Sequence, residues 1–354
     1  MLVRIASAKE GAMSHRVLYY TLDGDTRRAD ELLSQMGVSG QIELVGCSHE
    51  VFVPPTAAQL VGCTGFIGEF APVLGETVDA MAAAGVRVAA SMSIGMNHMD
   101  VAGLRARGIA VANCPGYCAE DVATHAIALM LDLMRKVTFT NRATVAGGWD
   151  PKGCYQPYRT QGRTLGLVFF GRIAREVVPI AHALGMRVLV WAPTKGAGEL
   201  AAAGCRKAET LDELLVTSDV VSLHCPLILQ TEGLIGAREL ALMKSTAYLV
   251  NTARGPLVDE DALAAALDAA EEGRADEPIE VEGVRGTRGI RAAGLDVLAS
   301  ETHPNRRLIE HPRCIVTPHA AYDSAEAADN LRRMSLESVC HALVGQGDSP
   351  SVPQ

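Results

Sequence analysis

Gly166-Leu167-Val168-Phe169-Phe170-Gly171-Arg172-Ile173-Ala174 continues an apolar run that begins at Leu165 and leads straight into a stretch with helical spacing. A buried strand, a tight turn and a helix N-terminus in that order aim backbone N–H groups and the positive end of a helix dipole at an anion. Laid on the pattern G-x-G-x-x-G, the three glycine positions here are Phe169, Gly171 and Ala174. The first normally permits the turn, the second lets the backbone approach a pyrophosphate, and the third lets helix pack closely on strand. Gly171 is the one whose loss would obstruct the pyrophosphate, and Ala174 is a small substitute, so the unit reads as a dinucleotide site whose loop runs through Gly171, Arg172 and Ile173. Phe169 is the departure. A bulky residue calls for an ordinary backbone angle, so the turn is expected to differ slightly from the usual one.

Working outward, strand signals recur at Leu165–Phe169, Arg187–Trp191, Asp219–His224, Ala247–Asn251, Ala292–Val297 and Ile315–Thr317, with helical segments between most of them. Six such strands predict a doubly wound parallel sheet of the Rossmann type. About 20 residues past the glycine loop, the second strand should end in an Asp or Glu that holds the adenosine ribose of NAD. Ala192-Pro193-Thr194-Lys195 stands there instead. The missing acid removes both an acceptor for NAD and the charge that repels a 2′-phosphate, while Thr194 and Lys195 offer a hydroxyl and a cation. NAD and NADP are both open, and Lys195 on its own reads first as a surface lysine.

Upstream, the runs His15–Tyr20, Gln41–Val45 and Val86–Ala90 alternate with helical stretches such as Thr26–Met36, as in a small flavodoxin-like α/β domain. After Ile109–Asn113, Cys114-Pro115-Gly116 breaks the chain before an amphipathic stretch, Ala119–Val137, whose apolar residues recur at three and four. A final helix, Ser324 to about Val344, returns to the first domain. The expected division is residues 1–115 with 322–354 for a substrate domain, and 116–321 for a dinucleotide domain inserted in it. Charged, glycine-rich Glu271–Gly289 reads as a solvated loop. Residues 1–12 read as a loose extension or a start placed too early, since Met13 precedes the first convincing strand.

A chain of 354 residues exceeds what one hydrophobic core usually serves, in keeping with two domains. With 48% hydrophobic and 21% charged residues and a mean hydropathy of +0.15, it is composed like an ordinary globular protein. No apolar run reaches the roughly 18 residues of a membrane span, and the N-terminus lacks the apolar core of a signal peptide. The nine cysteines are odd in number and scattered, which suits the reducing cytoplasm. Cys114 and Cys118 are the one close pair; without a second pair at zinc spacing they read as structural, and no metal is expected. A net charge of −9 argues against nucleic acid as a partner.

Three further strings carry chemistry: Asn251-Thr252-Ala253-Arg254-Gly255, Leu295-Asp296-Val297 followed by Glu301, and Thr317-Pro318-His319. A guanidinium can grip a carboxylate through two parallel hydrogen bonds, an imidazole can carry a proton near neutral pH, and a carboxylate beside it can hold the charged form. That set suits reversible reduction of a 2-keto acid. Singly, Arg254 reads as a helix-start residue in an ion pair, Glu301 as a loop acid and His319 as either a structural histidine or a proton carrier; together, in this order, they resemble the D-isomer-specific 2-hydroxyacid dehydrogenase family. The resemblance runs nearly continuously from about Ala89 to about Ser324 and points to the branch near phosphoglycerate dehydrogenases and C-terminal-binding proteins.

The resemblance implies catalytic roles for Arg254, Glu301 and His319, with Glu301 raising the pKa of His319. It also implies cofactor contacts from His224, Cys225, Pro226, Thr252 and Ala253, and a carboxamide contact from Asp296. Ile94 and Gly95, in the loop Ser91–Asp100, correspond to the substrate loop. Tyr322 matches an aromatic residue of the C-terminal-binding protein corepressors, and with Met92 and Met96 it suggests an apolar pocket for the substrate side chain. The implied substrate is a 2-keto or D-2-hydroxy acid, and the implied assembly a homodimer through Ala119–Val137. Those corepressors also supply the alternative, a dinucleotide-sensing scaffold with little turnover, which the altered glycine loop favours and the intact Arg, Glu and His set opposes.

Overall fold

The computed structural model describes residues 14–345. The extension expected at residues 1–12 and the end of the substrate domain beyond residue 345 lie outside them. Cys118–Asp323 forms one compact unit, and the described residues before and after it form the other.

In the flanking unit five strands, β1 (His15–Thr21), β2 (Ile42–Ser48), β3 (Gly65–Gly68), β4 (Val88–Ser91) and β5 (Ala110–Ala112), make a parallel sheet in the order β2-β1-β3-β4-β5. This is the flavodoxin-like order. Side chains alternate between two cores: Val17, Tyr19, Ile67, Val88 and Ala90 face the helices Arg27–Gln35 and Ala325–Val344. Leu18, Tyr20, Phe66, Ala89 and Val111 point to the opposite face. Burial on both faces explains why these strands read as continuous apolar runs. The terminal helix starts at Ser324, whose hydroxyl accepts from Ala327 N, and Arg28 ties it to the first helix through Asp329 at 2.7 Å.

The inserted unit contains β6 (Thr164–Val168), β7 (Arg187–Trp191), β8 (Arg206–Lys207), β9 (Val220–Leu223), β10 (Tyr248–Asn251), β11 (Pro278–Val281), β12 (Val284–Thr287), β13 (Ala292–Leu295) and β14 (Cys314–Val316). Seven are parallel, in the order β14-β13-β10-β9-β6-β7-β8, with the connection order reversing between β6 and β9. All six strands expected here are present; the seventh, β8, is only two residues long and has no apolar run to betray it. Leu165, Leu167, Val188 and Val250 pack beneath the helices Ala119–Arg135 and Arg172–Ala183. Val168, Leu189, Leu249 and Leu295 pack on the other face with the helix Glu260–Glu271.

Two expectations change. The long amphipathic helix ends at Arg135, because Lys136 takes a left-handed angle (φ 61°) and its Nζ donates to Gly153 O at 2.7 Å; a second helix, Val137–Val145, follows. Residues 271–289 are not a solvated loop: β11 and β12 pair as an antiparallel ribbon. Gly286 lies so close to the helix Ala237–Leu242 that a Cβ there would come within 1.9 Å of Ala241 O, and Thr287 Oγ1 donates to Met243 O. Charge on the ribbon's outer side hid its packed inner side from a composition-based reading.

Candidate active site

Because all seven strands of the inserted sheet run the same way, the segments that follow them share one edge. The loop after β6 contains Phe169, which takes φ +71° instead of the ordinary angle expected of it. Its N–H donates to Trp191 O at 2.7 Å, and its ring meets Trp191 edge-on, with centroids 5.7 Å apart. The turn therefore keeps the left-handed geometry that glycine supplies elsewhere, at a cost of about 1–2 kcal/mol that ring packing offsets. Gly171 is the N-cap of the helix Arg172–Ala183 and carries no capping side chain; a Cβ placed on it would meet nothing within 4 Å. Ala174 is fully buried against the sheet. The helix N-terminus is thus open to a pyrophosphate, with Arg172 and Ile173 as its first residues.

At the end of β7, Ala192 is buried and Thr194 exposed. Lys195 Nζ lies 3.0 Å from Glu199 Oε1, and Arg175 donates to the same oxygen at 2.6 Å. The Lys195 hydrogen bond is the main cause holding the Glu199 carboxyl below its usual pKa. Lys195 is therefore held in a partly exposed ion pair one helical turn long.

After β9, His224 Nε2 lies 3.0 Å from Ser222 Oγ, and desolvation brings its imidazole down to about 4. It is neutral at physiological pH. Cys225 is buried, with its thiol pushed up to about 12 by the same effect, and Pro226 is exposed. After β10, Thr252 is nearly buried and its Oγ1 finds no hydrogen-bond partner among the described residues. An orphaned buried hydroxyl costs free energy unless a ligand answers it. Together with the open helix N-terminus, it fits a bound dinucleotide.

The three chemical strings follow β10, β13 and β14, which are neighbours in the sheet. Asn251 sets the first turn, its side chain accepting from Ala253 N at 3.0 Å and donating to Arg254 O at 2.8 Å. Arg254 is half-buried and gives one N–H to Ala253 O. Gly255 is needed there, since a Cβ would fall 1.9 Å from Leu298 C; this close approach brings the turns after β10 and β13 together. Glu260 accepts from Ala299 N at 2.6 Å and fastens the second turn, which carries Glu301. His319 Nδ1 lies 2.9 Å from Glu301 Oε1, both side chains 39% exposed. The Tyr322 ring sits edge-on to His319, 6.1 Å between centroids.

Asp296, expected at the carboxamide, is also bound to its own unit's backbone. Its carboxylate has no solvent exposure. One oxygen accepts from Thr317 Oγ1 at 2.5 Å and Ala320 N at 2.9 Å, the other from Ala321 N at 3.0 Å. It serves the turn bearing His319, a non-glycine residue held at φ +54°, whose own N–H donates to Asp296 O. His125, on the helix Ala119–Arg135, reaches the same group, with Nε2 3.0 Å from Thr317 Oγ1. Sequence reasoning missed His125, although an imidazole on an otherwise apolar helix face was a usable signal.

Ile94 and Gly95 belong to the flanking unit, after β4. Their carbonyls accept from Asn113 Nδ2 at 2.8 Å and Ser93 Oγ at 2.5 Å. Met92 is core there, and Met96 is half-buried against the other core.

Comparison with known proteins identifies this arrangement. Residues 127–275 match the family described as D-isomer specific 2-hydroxyacid dehydrogenase, NAD binding domain. A hydroxypyruvate reductase of Blautia hydrogenotrophica is 33% identical over 266 residues, 73% of this chain and 76% of that protein. The chain belongs to the D-isomer-specific 2-hydroxyacid dehydrogenase family. It is an NAD-binding oxidoreductase. A D-3-phosphoglycerate dehydrogenase of Mycobacterium leprae is 34% identical over 273 residues, 76% of this chain but 48% of that protein, so the chain spans about half its length. The TT0316 protein of Thermus thermophilus superimposes with a TM-score of 0.76 at 31% identity, over 95% of this chain and all of that one. Among the described residues no helix is long and apolar enough to cross a membrane.

His224 gives a pH test. Its folded pKa lies below the unfolded value of roughly 6.5, so the stability it contributes is present above that value and is lost as pH falls toward 4. The wild type should lose about 2 kcal/mol more than His224→Gln between pH 7.5 and 4.5, measured by urea unfolding at both pH values; equal losses would show that His224 is not held neutral.

Proposed function

We propose that the chain reduces a small, polar 2-keto acid of the hydroxypyruvate kind to the D-2-hydroxy acid, using NADH. The observation that carries the reading is the His319–Glu301 pair on neighbouring strand ends, with Arg254 on the next one. Gly171, Arg172 and Ile173 would hold the pyrophosphate; His224, Cys225, Pro226, Thr252 and Ala253 would line the rest of the dinucleotide. When bound, the reduced nicotinamide supplies a hydride to the carbonyl carbon.

The chain's own residues do the rest. The Arg254 guanidinium draws the substrate carboxylate and steadies charge that grows on the carbonyl oxygen. His319 donates its Nε2 proton to that oxygen, while Glu301, fixed on Nδ1, keeps the ring aimed. In the reverse direction neutral His319 takes the hydroxyl proton. The family resemblance assigns backbone N–H groups of Ile94 and Gly95 to the substrate, and the Tyr322 ring stands edge-on to His319. The name of the Blautia relative favours hydroxypyruvate. Nine free thiols fit the cytoplasm, and a homodimer through Ala119–Arg135 is the assembly the family suggests.

NAD is preferred over NADP because Glu199 already engages the two cations, Lys195 and Arg175, that would meet a 2′-phosphate, and so competes with it for both. Glu199→Gln should tighten NADP at least fivefold, with NAD Kd changed less than twofold, in direct titration by calorimetry; an unchanged NADP Kd would remove Glu199 from cofactor choice. His319→Gln should lower kcat with hydroxypyruvate at least a hundredfold, the usual worth of a positioned general acid, and leave NADH Kd within threefold. Unchanged turnover would exclude His319 as the proton carrier.

A further inference from the structure

The edge of the seven-stranded sheet opposite the candidate active site has no part in the chemistry above. It carries a cavity of about 560 Å³ lined by Tyr158, Arg159, Arg163, Arg187, Asp219 and Lys244, among others. Arg163 immediately precedes β6, Arg187 begins β7, Asp219 precedes β9, and Lys244 lies just before β10. Parallel strands therefore place these residues at the N-terminal edge, a sheet's length from Gly171 and Thr252.

The charge is unbalanced. Four cations line the cavity against one acid among the described residues, on a chain whose net charge is −9. Asp219 is already committed, accepting from Thr164 N at 2.9 Å, Lys244 Nζ at 3.0 Å and Arg163 at 3.4 Å. These partners hold its carboxyl below its usual pKa despite burial. Among the described residues Arg187 donates to a backbone carbonyl, Gly162 O, and to no carboxylate, and Lys244 shares itself with Thr217 O. Arg163 is stacked on the Tyr158 ring, 4.4 Å from its centre, with Arg291 4.9 Å from the same ring. This stacking pre-orders one guanidinium at the cavity wall, which lowers the entropy cost of using it.

Gathering cations against one acid costs Coulomb energy that a bound anion recovers, and guanidinium forks match phosphate and carboxylate oxygens. The volume is that of a metabolite site, and the polar lining excludes an apolar ligand. We propose that this cavity binds a small multivalent oxyanion, a phosphorylated or polycarboxylate metabolite, independently of the dinucleotide. Such a ligand would tie the 157–163 segment to the starts of β7 and β10 and raise the unit's stability by mass action.

The test is calorimetric titration of NADH-saturated protein with inorganic pyrophosphate and, separately, citrate, at matched ionic strength. Saturation with NADH removes binding at the Gly171 loop. One-site binding of either anion is expected, pyrophosphate alone assigning phosphate and citrate alone assigning carboxylates. The Arg159→Ala/Arg187→Ala variant, both side chains solvent-exposed, should weaken it at least tenfold, with NADH Kd and the ligand-free Tm unchanged. Lys244→Gln alone should weaken it as well, and serves should the double variant fail to fold. Absence of binding by both anions, or equal binding by wild type and variants, would overturn the proposal.

Discussion

Three donors converge on the Asp296 carboxylate: the Thr317 hydroxyl and the amides of Ala320 and Ala321. A carboxylate with no access to water is strongly unfavourable unless such donors replace its hydration, so the turn after β14 and the end of β13 are bound to one geometry. That geometry puts His319 at a left-handed backbone angle and its ring against Glu301. Strain at such a residue persists only where its surroundings over-determine it. Asp296, Thr317 and His125 do so here.

The same logic runs along the sheet edge. Asn251 shapes the turn that carries Arg254, Gly255 allows its backbone to touch Leu298, and Glu260 fastens Ala299. Each reactive side chain stands on a turn whose backbone is answered by a buried or half-buried polar group. The groups proposed as catalytic are thereby placed by strand ends, which limits the reorganisation left for a reaction. The dinucleotide edge follows a different rule, with donors at Gly171 and Thr252 left open for a ligand.

Much of this was legible in the chain. Buried parallel strands announce themselves as apolar runs, so six strands of the larger sheet were readable, whereas β3, enclosed by Gly65 and Gly68, and two-residue β8 were not. The Arg, Glu and His strings were readable because their residue types are uncommon together. What escaped depends on tertiary context. Phe169 adopts φ +71° because Trp191 receives both its N–H and its ring, a partner more than 20 residues away. Lys195 seemed to invite a phosphate, but its ammonium is already engaged by Glu199, which it shares with Arg175. Asp296 seemed a ligand contact; only the fold shows its oxygens turned toward the His319 turn. Residues 271–289 looked loose since their packed side is backbone against Ala241, which no hydropathy pattern records.

Asp296→Asn tests the central claim most directly, because the amide keeps the size of the side chain and removes the acceptor for at least one backbone N–H, setting an NH2 donor against it. With NADH Kd measured by fluorescence beside kcat on hydroxypyruvate, the positioning account predicts at least a tenfold fall in kcat and an NADH Kd within threefold of wild type. A wild-type kcat with NADH binding weakened tenfold or more would contradict it and return Asp296 to the role of a cofactor contact.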